Sequence, residues 1–447
     1  MRRFSALAAS SIYARRQGLR EQLSGGKALL FSGGYVGRNY AGNPYGFRAS
    51  SHFLYFVGRS LVDACYLSTP REDILFIEPQ SDGDVLWHGH KPSLDALSDT
   101  LDLRVEPLSR LSEYVDDEVA SIPAVHCQTR AFQERVLRRP ISGFDAPQDQ
   151  RLAEVIVGLR INHDAYGLKL IRETARLAAQ AHARVPSYIE PGLSAQDVWA
   201  RMQSQFTAHG FGVAYNPIIT CRGEVLHGGV DSGVMRDGDL LLLDVGCEHP
   251  EGWASDISRT WPVSGALSST QSLIHQAVQH AQDEAINGCK IGVEYADVHV
   301  TALRSLTQSL LDIGILKGGL DTLMEREVGA FFFPHGVGHL LGLDVHDMED
   351  LGDIAGYSKG RKRSDRRSLR YLRMNRVLQE NMVVTIEPGF YQIPQLLDEA
   401  RRTCSDLIDW GVLDQFADVR GVRIEDDVLI EKSQSVVLST GDAVESN

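Results

Sequence analysis

The sequence predicts an α/β domain over residues 1–160, followed over residues 161–447 by an α+β domain built from an internal pseudo-two-fold repeat. Short β-type runs alternate with helical segments up to about residue 160, the pattern of a sheet packed between helices. From about Leu168 the order becomes helix, helix, strand, strand, and then recurs. Each half of this repeat also ends in apolar strands that carry two acidic residues, and this feature points to chemistry. A chain of 447 residues exceeds one ordinary core; at about 150 residues per domain, roughly two or three are expected.

In chain order, the opening residues 1–10 are basic and rich in small side chains, but their apolar run is too short for a signal peptide. No later stretch reaches the roughly 18–20 apolar residues of a membrane-spanning helix. A cytoplasmic protein with no membrane partner is therefore expected. Residues 28–31, 51–58 and 73–77 are rich in β-branched and aromatic side chains and read as strands. Residues 33–37 read as a turn, because the glycine-rich loop lacks the Lys-Ser/Thr ending of a phosphate loop. His88-Gly89-His90 fits a strand alternation or a surface loop.

In the second domain, residues 191–198 open a helix, and residues 291–298 open another with Gly, Asp and Val in register. Gly210 and Gly314 are placed to end these helices. Residues 239–245 and 256–261 read as strands around a turn containing Pro250-Glu251-Gly252, with Asp256, Ser258 and Thr260 on one face. Residues 382–387 and 421–425 repeat the device, Thr385 sharing the face of Glu387 and Arg423 that of Glu425.

Composition narrows the function. A hydrophobic share of 43% and a charged share of 23% are those of a soluble globular protein. The formal net charge of −14 argues against a nucleic-acid partner, since phosphate binding needs clustered Lys and Arg. The six cysteines form no Cys-x-x-Cys pair, so neither a zinc ribbon nor a disulfide framework is indicated.

The candidate site consists of Asp244, Asp256, His339, Glu387 and Glu425. Asp244 follows four leucines and Glu387 follows Val-Val-Thr-Ile, placing both at the ends of core strands, where an unpaired carboxylate is costly. Four clustered carboxylates would repel one another, and two divalent cations would neutralise them. A set rich in oxygen with one histidine favours Mn(II), with Co(II), Fe(II) or Zn(II) as alternatives. Glu425 alone has a plainer reading, as the start of an acidic surface run with Asp426 and Asp427. Three histidines, His335, His339 and His346, fall in one glycine-rich segment and suggest a catalytic cluster.

The strings DVG, ASDISRT, HGVGHLLGLDVHD, TIEPGFY and GVRIEDD resemble the motifs of the prolidase and aminopeptidase P branch of the pita-bread metallopeptidases. The likeness extends to the N-terminal domain around Ala14-Arg15-Arg16 and Phe53-Leu54-Tyr55. It implies an aminopeptidase P-like domain before a pita-bread catalytic domain, and cleavage of the bond between any N-terminal residue and proline. It makes Asp244 a ligand of one metal, Asp256 and Glu425 bridging ligands, and His339 and Glu387 ligands of the other. Glu387 would also act as base. His227 and His346 would contact substrate and support the tetrahedral intermediate, Arg423 would hold the carboxylates, and His335 would stand behind the ligands. A homodimer or homotetramer is implied as well. The stretch before His227 is shorter than the family's Gly-Glu-Asn loop, and Gly228 replaces a common Tyr, so the pocket rim departs from the pattern.

The proline-containing substrate is expected to be a dipeptide or an oligopeptide. Leu369-Arg370-Tyr371-Leu372-Arg373 resembles the prolidase segment whose arginine binds a dipeptide's carboxylate, which assigns Arg373 to substrate and favours an Xaa-Pro dipeptidase over an Xaa-Pro aminopeptidase. The other arginines of this basic stretch read as a solvated loop. Rival readings are a non-catalytic pita-bread binding protein, a metal-free creatine amidinohydrolase and a methionine aminopeptidase. The filled ligand positions disfavour the first two, and the large N-terminal domain disfavours the third.

Overall fold

The computed structural model describes residues 3–440. It divides into two compact units, Met1–Tyr166 and Gly167–Asn447.

The first unit is a mixed five-stranded sheet with helices α1 (Ala6–Leu23), α2 (Ser51–Val57), α3 (Asp82–His88), α4 (Leu94–Leu101), α5 (Cys127–Leu137) and α6 (Pro147–Arg160). Its strands β1 (Ala28–Phe31), β2 (Cys65–Ser68), β3 (Asp73–Ile77), β4 (Arg104–Pro107) and β5 (Ala120–Ser121) lie in the order β4-β3-β2-β1-β5. Residues 51–57 are a helix, not the strand their aromatic content suggested. The Ser50 hydroxyl caps it by accepting from the Phe53 amide, and Gly58 closes it at φ 71°. Every side chain of α2 is buried, so no period-two or period-3.6 pattern marks it in the sequence. Arg15 and Arg16 on α1 fix it in place: the Arg15 guanidinium donates to the Tyr55 carbonyl and pairs with Asp164 at 2.7 Å, and that of Arg16 donates to the Phe56 carbonyl. His88 ends α3 and Gly89 caps it, leaving His88-Gly89-His90 exposed.

The second unit is the predicted repeat. Its first half runs α7 (Ala165–Arg184), α8 (Ala195–Ala208), β6 (Gly212–Val213), β7 (Ile218–Thr220), β8 (Leu240–Asp244), β9 (Cys247–Glu248) and β10 (Ser258–Pro262). The second half begins with α9 (Ser269–Gly288) and α10 (Tyr295–Ile313). It continues with β11 (Val383–Ile386), β12 (Gly389–Tyr391), β13 (Gly421–Arg423), β14 (Asp426–Ile430) and β15 (Ser435–Val437). α8 starts in a Ser194–Asp197 capping box, whereas α10 has no side-chain cap and ends at Gly314, φ 89°. The sheets β10-β8-β7 and β11-β14-β15 belong to opposite halves, and a bridge between Ser258 and Glu425 joins them. Leu241 and Leu243 are fully buried and Leu240 and Leu242 nearly so. With apolar packing on both faces of β8, Asp244 at its end is held by the core. Among the described residues no helix is long and apolar enough to cross a membrane.

Candidate metal centre

Strand ends from both halves deliver the acids to one place. Asp244 closes β8 opposite Ser258, Asp256 lies two residues before β10, Glu387 sits between β11 and β12, and Glu425 sits between β13 and β14. His339 comes from the glycine-rich segment, which lies against β11: the His339 amide donates to the Thr385 hydroxyl at 3.1 Å, and the Thr385 amide donates back to the His339 carbonyl at 2.9 Å. Gly338 is what allows this approach, because a Cβ there would stand 2.1 Å from the Thr385 carbonyl oxygen. Gly246, just after Asp244, is equally constrained, a Cβ falling 1.9 Å from the Ser255 carbonyl oxygen. The glycines of HGVGH and DVG are thus spaces for backbone.

Ligand atoms of Asp244, Asp256 and Glu425 all lie within 4.8 Å of one another, as do those of His339, Glu387 and Glu425. Glu425 is common to both trios, as expected for a pair of adjacent cations. Asp256, His339 and His346 form a third trio, which brings His346 to the same centre.

The electrostatics ask for positive charge. Burial first, then the neighbouring Asp244, pushes the Asp256 carboxyl up to about 8. Burial raises Glu387 to about 8, with Arg423 opposing and Asp256 and Asp244 adding. Glu425 is driven well above the carboxylate range by burial and then by Asp256 and Glu387. Without cations, protons must neutralise this cluster. The tautomer of His339 fits the same demand. Its Nδ1–H donates to the Leu340 carbonyl at 3.0 Å, which aims the Nε2 lone pair at Asp256 Oδ2, 3.4 Å away, and Glu387 Oε1, 3.9 Å away. Asp244 Oδ1 is buried with no hydrogen-bond partner. A lone pair facing carboxylates and an orphaned carboxylate oxygen fit a pair of divalent ions.

Supporting contacts orient the ligands. Arg423 donates to Asp244 Oδ2 at 2.6 Å, to the Ser258 hydroxyl at 2.9 Å and to the Tyr391 oxygen at 3.1 Å. Ser258 in turn donates to Glu425 at 2.7 Å. The Tyr391 hydroxyl donates to His335 Nε2 at 2.8 Å, and His335 Nδ1–H donates to the Gly336 carbonyl. This leaves His335 neutral behind the ligands, and burial lowers it further, to about 3. The Tyr215 hydroxyl donates to Asp256 Oδ1 at 2.5 Å.

Tyr215, Ser258 and Tyr391 have no role in the sequence reading beyond the shared strand face of Ser258. Tyr391 sits in the quoted TIEPGFY string, four residues after Glu387, and could have been found there. Asp426 and Asp427 are not a surface run: both are buried, Asp426 accepting from Arg259 at 2.6 Å and Asp427 accepting from the Asp256 amide at 3.1 Å.

The centre opens into a cavity of about 530 Å³, of a size that suits a small peptide. His227, His346 and Arg373 line it with the ligands, and His227 is exposed in a turn. The basic segment before Glu387 leaves Lys362, Arg363, Arg366 and Arg370 exposed, as expected of a solvated loop, but several of its arginines have fixed partners. Arg361 binds Glu294 through both carboxylate oxygens, Arg366 pairs with Glu327 at 3.0 Å, and the Glu327 carboxylate also accepts from the Arg367 amide. These pairings lie far apart in sequence, and no local spacing foretells them.

Two family models match the chain: metallopeptidase family M24 over residues 169–432, and the aminopeptidase P N-terminal domain over residues 12–126. A probable Xaa-Pro aminopeptidase of Verticillium alfalfae is 33% identical over 410 residues, covering 88% of this chain and 85% of that protein. An Xaa-Pro dipeptidase of Rattus norvegicus is 34% identical over 296 residues, 64% of this chain and 58% of that protein. Among solved structures, the Pseudomonas aeruginosa aminopeptidase PepP superposes with a TM-score of 0.82 at 25% identity, covering 99% of this chain and 96% of that one. The zinc-substituted Escherichia coli aminopeptidase P in complex with product gives 0.80 at 26% identity, covering 97% and 96%.

Proposed function

The chain belongs to metallopeptidase family M24 and is an Xaa-Pro metallopeptidase, and we propose that within this class it acts foremost as an Xaa-Pro dipeptidase using two Mn(II) ions in the cytoplasm. The observation that carries the dipeptidase reading is Arg373, placed on the wall of the cavity that holds Asp244, Asp256, His339, Glu387 and Glu425. A guanidinium there can take a proline carboxylate in a bidentate pair that a longer peptide cannot supply at that position. The aminopeptidase reading is the second, and the Verticillium alfalfae and Pseudomonas aeruginosa relatives favour it. A dimer or tetramer belongs to the proposal, and sedimentation velocity tests it.

A pair of divalent ions, which Asp244, Asp256, His339, Glu387 and Glu425 would hold, would lower the pKa of the attacking water and act as a Lewis acid for the scissile carbonyl. The chain's own groups do the rest. Glu387 takes the proton of the attacking water from its place on the cavity wall among the other acids. His227, on the cavity wall, donates to the oxygen of the tetrahedral intermediate, and His346, whose Nδ1–H is given to Glu349, lines the same pocket. Arg423 keeps Asp244 in place through its 2.6 Å contact and, through Ser258, Glu425.

Arg373→Ala is expected to lower kcat/KM for Ala-Pro by about 10²-fold, the loss of a charge-assisted pair of about 3 kcal/mol, while sparing Ala-Pro-Yaa-Zaa peptides. Steady-state kinetics on both substrates measure it. Preferred cleavage of the longer peptides, indifferent to Arg373, would establish the aminopeptidase instead.

A further inference from the structure

Arg373 is not idle in this cavity. Its guanidinium donates to one carboxylate oxygen of Glu349, and the other oxygen of Glu349 accepts from His346 Nδ1 at 2.5 Å. Glu349 thus ties together two residues assigned above to the substrate. Of the other arginines on the cavity wall, Arg363 is held by Asp353 at 2.8 Å and Arg367 by Glu399, with the Arg367 guanidinium also 4.2 Å from the Phe331 ring centre. Arg363 and Arg367 thus each have a carboxylate partner, while Arg370, exposed on the same wall, lies 4.8 Å from the Tyr371 ring centre.

The Glu349–Arg373 pair is open to solvent, with Glu349 48% and Arg373 38% exposed, much as Arg363–Asp353 is, but it is the pair tied to His346. A pair so exposed exchanges partners at little cost. Glu349 is a carboxylate on one nitrogen of the guanidinium that an Xaa-Pro carboxylate would need. A dipeptide therefore competes with Glu349 for Arg373, whereas a peptide that continues beyond proline leaves the internal pair intact and meets an Arg373 already neutralised. Without Glu349 that longer peptide would instead face an uncompensated cation.

We propose that Glu349 is a specificity-determining positioning residue that competes with the substrate carboxylate for Arg373 and so sets the balance between Xaa-Pro dipeptides and longer Xaa-Pro peptides. The inference rests on the assignment of Arg373 to the substrate carboxylate. Glu349 stays ionised throughout the working range, because the hydrogen bond from His346 and then the charges of His346 and Arg373 hold it down at about 2.

The test compares Ala-Pro with Ala-Pro-amide, which differ at the terminal charge, using the Mn(II)-loaded full chain. Glu349→Gln keeps the length of the side chain and an oxygen to accept from His346 Nδ1–H but removes the charge. It is expected to raise the selectivity for Ala-Pro over Ala-Pro-amide about tenfold, with the shift carried by the KM of Ala-Pro rather than by kcat. Glu349→Asp, which keeps the charge, should stay within about threefold of the wild-type ratio. In an Arg373→Ala background, Glu349→Gln should no longer move the ratio. An equal effect of Glu349→Gln on both substrates, or a selectivity shift that persists without Arg373, would overturn the inference while leaving the peptidase reading intact. A wild type that hydrolyses neither compound would overturn that reading, and this inference with it.

Discussion

Replacing Glu387 by glutamine is expected to lower kcat by about 10²–10⁴-fold, the range for loss of a general base, while changing KM far less. The side chain is in the right place to move a proton. It is 17% exposed, lines the cavity, and its Oε1 is 3.9 Å from His339 Nε2. Glutamine preserves the volume and one ligand oxygen but cannot take a proton. Metal content per chain must be measured on the same preparation, because Glu387 is also a proposed ligand. Near-normal turnover at unchanged metal content would remove Glu387 from the proton transfer.

Removing divalent ions should produce the largest change in stability, and its pH dependence has a definite sign. With the cations gone, Asp256 and Glu387 are raised to about 8 in the folded chain and Glu425 is raised well above the carboxylate range, against about 4 when unfolded. Between these limits the folded state binds more protons, so these acids make stability fall as pH rises. The buried His182, His299 and His339, each lowered to about 4, and His335, lowered to about 3, act oppositely, but only below their unfolded value of about 6.5. From about pH 6.5 to 8 the carboxylates act alone.

The melting temperature of the chelated protein should therefore fall across that window. Mn(II) should raise it most at the upper end, where the ligands ionise most readily. An ion present at 1,000 times its dissociation constant adds about 4 kcal/mol, or roughly 10 °C for a unit of this size. Differential scanning calorimetry with and without Mn(II) at pH 6.5 and 8 reads the effect. A chelated protein that gains stability as pH rises through this window would contradict the carboxylate cluster.

The candidate metal centre was legible as a cluster because its parts sit in short strings whose chemistry is local. Four leucines before Asp244 announce a buried strand end, whereas the glycine-rich segment around His339 drew notice for its histidines, and only the fold shows its glycines as places where backbone meets backbone. The halves of the repeat could be aligned because α8 and α10 start one hundred residues apart with shared turn residues. What the sequence hid was of two kinds. α2 is buried on every side and so has no amphipathic period, and its helical ends depend on Ser50 and Gly58 rather than on its interior. The ion pairs of the basic segment join residues dozens of positions apart, Arg361 to Glu294 and Arg366 to Glu327. Only the folded chain shows that these arginines are committed and that Glu349 stands at Arg373.

Titration of exhaustively chelated protein with Mn(II), following hydrolysis of Ala-Pro, tests the two-ion peptidase directly. Asp244, Asp256 and Glu425 on one side and His339, Glu387 and Glu425 on the other predict no hydrolysis without metal and activity that saturates at two ions per chain. Ala-Pro hydrolysis that survives chelation, or that is complete with a single ion, would contradict it.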